Sequence, residues 1–168
     1  MGGLLEGKKV LVTGVLDRRS IAYSAARLAQ EQGAEIVLSG FGRARSLTER
    51  TARRLDPEPP ILELDVNKPE NIEAVADDLA ERWGELDGIV HAIAFAPEDA
   101  LGGNFLTAEW PSVATALQTS AYSLKALSVG LLDLLEAADA FRGEGLDRAR
   151  RDQVDPDAAL SEVASQIT

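Results

Sequence analysis

The 168-residue chain contains no cysteine, so disulfides and thiol catalysis are excluded, and the composition fits a cytoplasmic protein. No apolar run approaches the roughly 18 residues of a membrane span, and no membrane association is expected. The opening segment MGGLLEGKKV lacks the charged, apolar and small-residue succession of a signal peptide. Glu6 stands where a myristoylation signal needs Ser or Thr. Basic residues are outnumbered, 17 against 28 acidic, for a net charge of -11. The imbalance is uneven: residues 1–60 hold ten Lys/Arg and seven Asp/Glu, and the remainder seven and twenty-one. Such a chain is not built to wrap nucleic acid. The local exception is Arg43, Arg45, Arg50, Arg53 and Arg54, which reads either as a solvated helix face or as an attraction for phosphates. The single histidine, His91, lies inside an apolar run, where a hydrogen-bonded structural role is the simpler reading than proton donation.

What is present is a regular alternation. Apolar, β-branched runs at 9–13 (KVLVT), 35–38 (EIVL), 61–66 (ILELDV) and 87–94 (DGIVHAIA) read as buried strands. Between them, 20–32, 44–55 and 70–83 carry a helical rhythm; Ile72, Val75, Ala76, Leu79 and Trp83 form the clearest stripe. Ser20 suits an N-cap and Gly33 a helix end. The order β-α-β-α-β-α-β with continuous apolar strands predicts an α/β fold, a doubly wound parallel sheet with helices on both faces. Its ligand crevice belongs at the carboxyl ends of the strands. Beyond the loop at 96–106 the pattern predicts one long helix from about 108 to 135. From residue 136 the character changes to mixed charge without strand signals, so the chain divides into a domain at 1–135 and a helical tail at 136–168.

The G-x-G-x-x-G fingerprint of dinucleotide sites is missing. In its place one glycine, Gly14, ends the first strand, and Ser20-Ile21-Ala22 follow after a longer loop. A strand, a glycine and a helix start make an anion site, because the first helical amides are unpaired and the helix dipole is positive there. Gly14 would let the backbone approach a pyrophosphate. The same residues also suit an ordinary βα turn.

The string GKKVLVTGVLDRRSIAYSAARLAQEQGAEIVLSGF, continued by LELDV, ELDGIVHAIAFAP, DALGGNF and SAYSLKAL, resembles the enoyl-acyl-carrier-protein reductases. They are a divergent branch of the short-chain dehydrogenase/reductases, and the actinobacterial type is the most similar. The resemblance covers about residues 3–132 and implies a Rossmann-like sheet of which the N-terminal half, about four strands, is here. It implies that Gly14, Ser20 and Ile21 hold the pyrophosphate and that Phe41 stacks near the adenosine. Asp65 and Val66 would contact the adenine, and Ile93 and Ala94 the nicotinamide-ribose side. Phe95 and Ala96 would begin the acyl-substrate wall. The family usually has Ser at Ala92 and often Gly at Ala94. NADH is the cofactor implied, although the acidic residue expected near a ribose 2′-hydroxyl is replaced by Ser39-Gly40-Phe41, and Arg43 could favour a 2′-phosphate. The implied substrate is a trans-2-enoyl thioester, carried on acyl carrier protein.

The chemistry of that family needs a donor for the thioester oxygen, where negative charge builds. The family supplies it from a Tyr-x6-Lys pair that this chain lacks. Its tyrosines are Tyr23 and Tyr122, and no lysine follows Lys125. The missing pair allows a truncated or recombined product, a reading-frame error or a pared-down protein. The resemblance also implies a fifth strand beside the fourth; with no strand signal after residue 136, the fourth is left as an open edge, for the tail, a homo-oligomer or another partner to cover. Three roles follow: an NADH-dependent reductase, a non-catalytic dinucleotide-binding remnant, or an interaction module.

Overall fold

The computed structural model describes residues 3–103 and 106–138. Strands β1 (Lys9–Val12), β2 (Glu35–Gly40), β3 (Ile61–Glu63) and β4 (Gly88–Val90) form one parallel sheet in the order β3-β2-β1-β4. The chain's direction of winding reverses between β1 and β4, which opens a crevice at their carboxyl ends. The crossovers are α1 (Ile21–Glu31), α2 (Gly42–Ala52) and α3 (Pro69–Trp83). This is the doubly wound, Rossmann-like α/β arrangement that the alternation predicts.

Each face of the sheet has its own core. On one, Ala22, Ala26 and Ala29 of α1 and Ala52 beyond them meet Val12, Ile36 and Leu38. The small alanines let α1 lie close to the strands. On the other, Ile72, Val75 and Leu79 of α3 join Leu127, Leu131, Leu134 and Leu135 over Leu11, Val37 and Leu64. Local signals set the ends of the helices. Ser20 caps α1, its hydroxyl accepting from the Tyr23 amide. Pro69 opens α3, and Gly84, in the left-handed region at φ 71°, closes it.

Three expectations are corrected. The third and fourth strands are shorter than 61–66 and 87–94, because side chains take over their partners. The Asp65 amide donates to Asn71 Oδ1 (3.0 Å). The Thr13 hydroxyl donates to the Val90 carbonyl (2.9 Å) and accepts from the Ala92 amide (3.1 Å). The long helix at 108–135 is divided into α4 (Trp110–Leu117), a π-helical turn (Gln118–Tyr122), α5 (Ser123–Gly130) and α6 (Leu132–Ala137). Hydroxyls mark the first break: Ser120 Oγ bonds both the amide and the carbonyl of Phe95, and Ser123 Oγ donates to the Thr119 carbonyl. The second break, at Leu131 (φ -109°, ψ 12°), follows a close approach, since a Cβ on Gly130 would collide with Ile72 Cγ2. The bend carries Leu134 and Leu135 onto the core and gives the Leu134 carbonyl to the Leu86 amide (2.9 Å). Helix α6 continues past residue 135 to Ala137, and the tail expected beyond lies outside the described residues from 139 on. Strand β4 pairs with β1 alone, and no strand covers its other edge among the described residues.

Candidate functional site

A cavity of about 490 Å³ opens at the carboxyl ends of the four strands. Seven of the expected site residues line it together: Gly14, Phe41, Asp65, Val66, Ile93, Ala94 and Phe95. Ser20 and Ile21 are not in its lining; they stand at the start of α1, on the loop that leaves Gly14. Ala96 also lies outside the lining.

The loop from Gly14 to Ser20 is held in two ways. Asp17 builds a turn: its carboxylate accepts from the Arg19 amide (2.7 Å) and pairs with the Arg19 guanidinium, while its carbonyl accepts from Ser20 Oγ (2.7 Å). The Arg19 amide, and then its guanidinium, keep the Asp17 carboxyl below the ordinary carboxylate range. From outside the loop, Thr48 Oγ1 donates to the Val15 carbonyl (2.7 Å) and Thr51 Oγ1 to the Leu16 carbonyl (2.9 Å). Both threonines belong to α2 and are buried. The sequence reading missed them, although a Thr-x-x-Thr pair beside Ala44 and Ala52 is a polar face at helical spacing in an otherwise arginine-rich helix.

Gly14 has φ +78°, and a Cβ there would collide with the Ala92 carbonyl oxygen. The glycine thus lets the loop touch the segment after β4, and not only a ligand. The Thr13 hydroxyl fixes that segment from the neighbouring position. No acceptor among the described residues takes the amides of Ile21 and Ala22, since the Ser20 hydroxyl serves Tyr23. Two free amides at the positive end of an 11-residue helix suit an anion.

At the ends of β2 and β3, Phe41 is 44% exposed and precedes α2. Asp65 turns its carboxylate back on the Asn67 amide (3.1 Å) and lies 3.9 Å from Lys68 Nζ. Thr119 Oγ1 donates to Asn67 Oδ1 (3.2 Å), which joins the π-helical turn to this wall. None of the five arginines of the basic group lines the cavity. Arg45 is bound to Glu63 and Glu49, and Arg50 and Arg54 line a separate hollow with Asp17, Arg18 and Arg19.

The remaining chemistry-bearing groups are accounted for. His91 Nε2 lies 2.8 Å from Ser123 Oγ. The serine's one proton goes to the Thr119 carbonyl (2.7 Å), so His91 donates through Nε2. Tyr23 is buried in the α1 core, and Tyr122 is 58% exposed with the Lys125 ammonium 5.4 Å from its ring centre. Neither tyrosine lines the cavity. Among the described residues no group of His, Asp and Glu could hold a metal ion, and no helix is long and apolar enough to cross a membrane.

Comparison with known proteins places the chain among relatives of one family. The family model for enoyl-(acyl carrier protein) reductase matches residues 14–143. The chain is 41% identical over 154 residues to an NADH enoyl-[acyl-carrier-protein] reductase of Mycolicibacterium smegmatis, covering 89% of this chain and 57% of that one. It is 37% identical over 153 residues to the corresponding protein of Mycobacterium avium, again 89% and 57%. With the NADH enoyl-[acyl-carrier-protein] reductase of Neisseria meningitidis it shares 41% identity over 128 residues, 75% of this chain and 49% of the relative. The chain spans about half the length of the curated relatives it matches.

Proposed function

The chain belongs to the enoyl-(acyl carrier protein) reductase family, and from that membership we propose that it forms the NADH-holding half of a reductase acting on a trans-2-enoyl thioester. The relatives are named as NADH enzymes. The observation that carries the reading to this chain is the single cavity that brings Gly14, Phe41, Asp65, Val66, Ile93, Ala94 and Phe95 together. The free amides of Ile21 and Ala22 take the pyrophosphate. Phe41 stacks on the adenosine, and Asp65 and Val66 meet the adenine edge. Ile93 and Ala94 flank the nicotinamide ribose, and Phe95 with Ala96 begins the wall for the acyl chain. When bound, NADH supplies the hydride for the β-carbon of the thioester. Acyl carrier protein delivers the thioester in the cytoplasm, and a second copy or another partner covers the free edge of β4.

A second reading rests on the tyrosines. With Tyr23 in the core and Tyr122 outside the cavity, no phenol among the described residues meets the thioester oxygen. On this reading the chain alone binds NADH without turnover. Titration calorimetry with NADH, beside NADH oxidation on a trans-2-enoyl thioester, tests both. Binding with no oxidation above background favours the second reading; oxidation well above background removes it. Absence of binding overturns both.

A further inference from the structure

The sequence poses a question that the fold answers. A doubly wound sheet that holds an adenosine ribose puts an acidic residue at the end of its second strand to accept from the 2′-hydroxyl, or an arginine to receive a 2′-phosphate. Here that position reads Ser39-Gly40-Phe41. The carboxylate comes instead from the neighbouring strand. Glu63 ends β3 and stands in register with Gly40 at the end of β2. Its Oε1 accepts from the Gly42 amide (3.3 Å), and its Oε2 pairs with Arg45 Nη1 (2.8 Å). Gly42 is the first residue of α2 and directly follows Phe41, which lines the cavity.

The amide at the start of an 11-residue helix, with an arginine one turn along, is where a phosphate would settle. In this chain an internal carboxylate already occupies both donors. The hydrogen bond from Arg45 also holds the Glu63 carboxyl below its ordinary range. Gly42, Arg45 and Glu63 adjoin the cavity lining at Phe41, and a 2′-phosphate arriving there would find the amide used and the arginine neutralised by the carboxylate. Arg43, exposed and without a carboxylate partner among the described residues, pulls in the other direction.

We infer that Glu63 selects against a 2′-phosphate, acting as a built-in anion at the start of α2 and making the adenosine end of the cavity a site for NADH and not NADPH. The inference rests on the cofactor reading above. Calorimetric titration of wild type, Glu63→Gln and Glu49→Gln with NADH and with NADPH tests it. Glu49 also pairs with Arg45 (3.2 Å) and has no bond to Gly42, so its variant controls for a freed arginine alone. Glu63→Gln is expected to shift the NADPH-to-NADH affinity ratio about tenfold toward NADPH, with the NADH affinity little changed. In Glu49→Gln the ratio stays near that of wild type. Glu63→Asp, shorter but still charged, should restore the preference for NADH.

A purely structural role for Glu63 would weaken both cofactors alike and leave the ratio unmoved; an unmoved ratio overturns the inference while the cofactor reading stands. An equal shift in Glu49→Gln overturns it too. If no protein in the set binds NADH, the cofactor reading falls first and the inference with it. Should Glu63→Gln not fold, wild type alone decides through AMP and adenosine 2′,5′-diphosphate. The diphosphate should bind more weakly in dilute buffer, and the difference should shrink as salt screens the carboxylate. A diphosphate that binds as well as AMP in dilute buffer overturns the proposal.

Discussion

The two walls of the cavity are secured by different means. The wall made by the Gly14–Ser20 loop and the ends of β2 and β3 is bound from outside by α2, through Thr48, Thr51 and Arg45. The wall made by residues 91–96 hangs from β4, which among the described residues has one strand beside it, and is tied to the π-helical turn by Ser120 and to the start of α5 by Ser123. The first wall is held by one buried and two half-buried bonds, whereas the second has the exposed Ser120 tie and leaves Phe95 53% exposed. Buried hydroxyl-to-carbonyl bonds cost more to lose than exposed ones, because the partner left behind has no water to turn to. The Gly14 side should therefore be the rigid half of the cavity and the 91–96 side the yielding one.

Four substitutions break or sharpen that contrast. Gly14→Ala strikes the contact where the walls meet. Its positive φ and the collision with Ala92 predict a loss of about 3 kcal/mol in urea unfolding, and loss of NADH binding by calorimetry. Thr48→Val keeps the shape and orphans the buried Val15 carbonyl. A cost of about 2 kcal/mol is expected, with NADH affinity falling as the loop loosens.

Asp87→Asn tests the far, amino end of the sheet, where Asp87 accepts from Lys8 Nζ and the Lys9 amide, both 2.8 Å away. Burial alone would raise this carboxyl, but the bonds from Lys8 and Lys9 outweigh it and hold it below its ordinary 3.8. A lowered folded-state value means stability that is complete above about pH 4 and disappears as the pH falls through the folded value. The variant should lose about 1 kcal/mol at pH 7, match wild type in acid and bind NADH normally. Ser120→Ala removes an exposed tie on the yielding wall. A stability change below about 0.5 kcal/mol is expected, with hydrogen exchange at Phe95 accelerated. A cost equal to that of Thr48→Val would dissolve the contrast.

Much of this was readable in the sequence, and the misses share a physical origin. The alternation of apolar strands and striped helices gave the doubly wound parallel sheet, and motif resemblance gathered seven residues that do line one cavity. Periodicity says little about hydroxyl groups. It made residues 108–135 one helix, whereas Ser120, Ser123 and Gly130 bend the chain toward partners far off in sequence. It also read α2 through its arginines, as a solvated face or an attraction for phosphates, although its threonines hold the loop. Glu63 could not be matched to its role from spacing, because only the register with Gly40 brings it to the start of α2.

The clamp from α2 grips the loop by its main chain, at the carbonyls of Val15 and Leu16. Side-chain identity at Arg18, exposed and outside the cavity lining, is therefore free to drift while the curve of the backbone is preserved. A library randomised at that site should retain cofactor capture, whereas one randomised at 48 and 51, more than thirty residues downstream, should not. The information that shapes this turn is written in another helix.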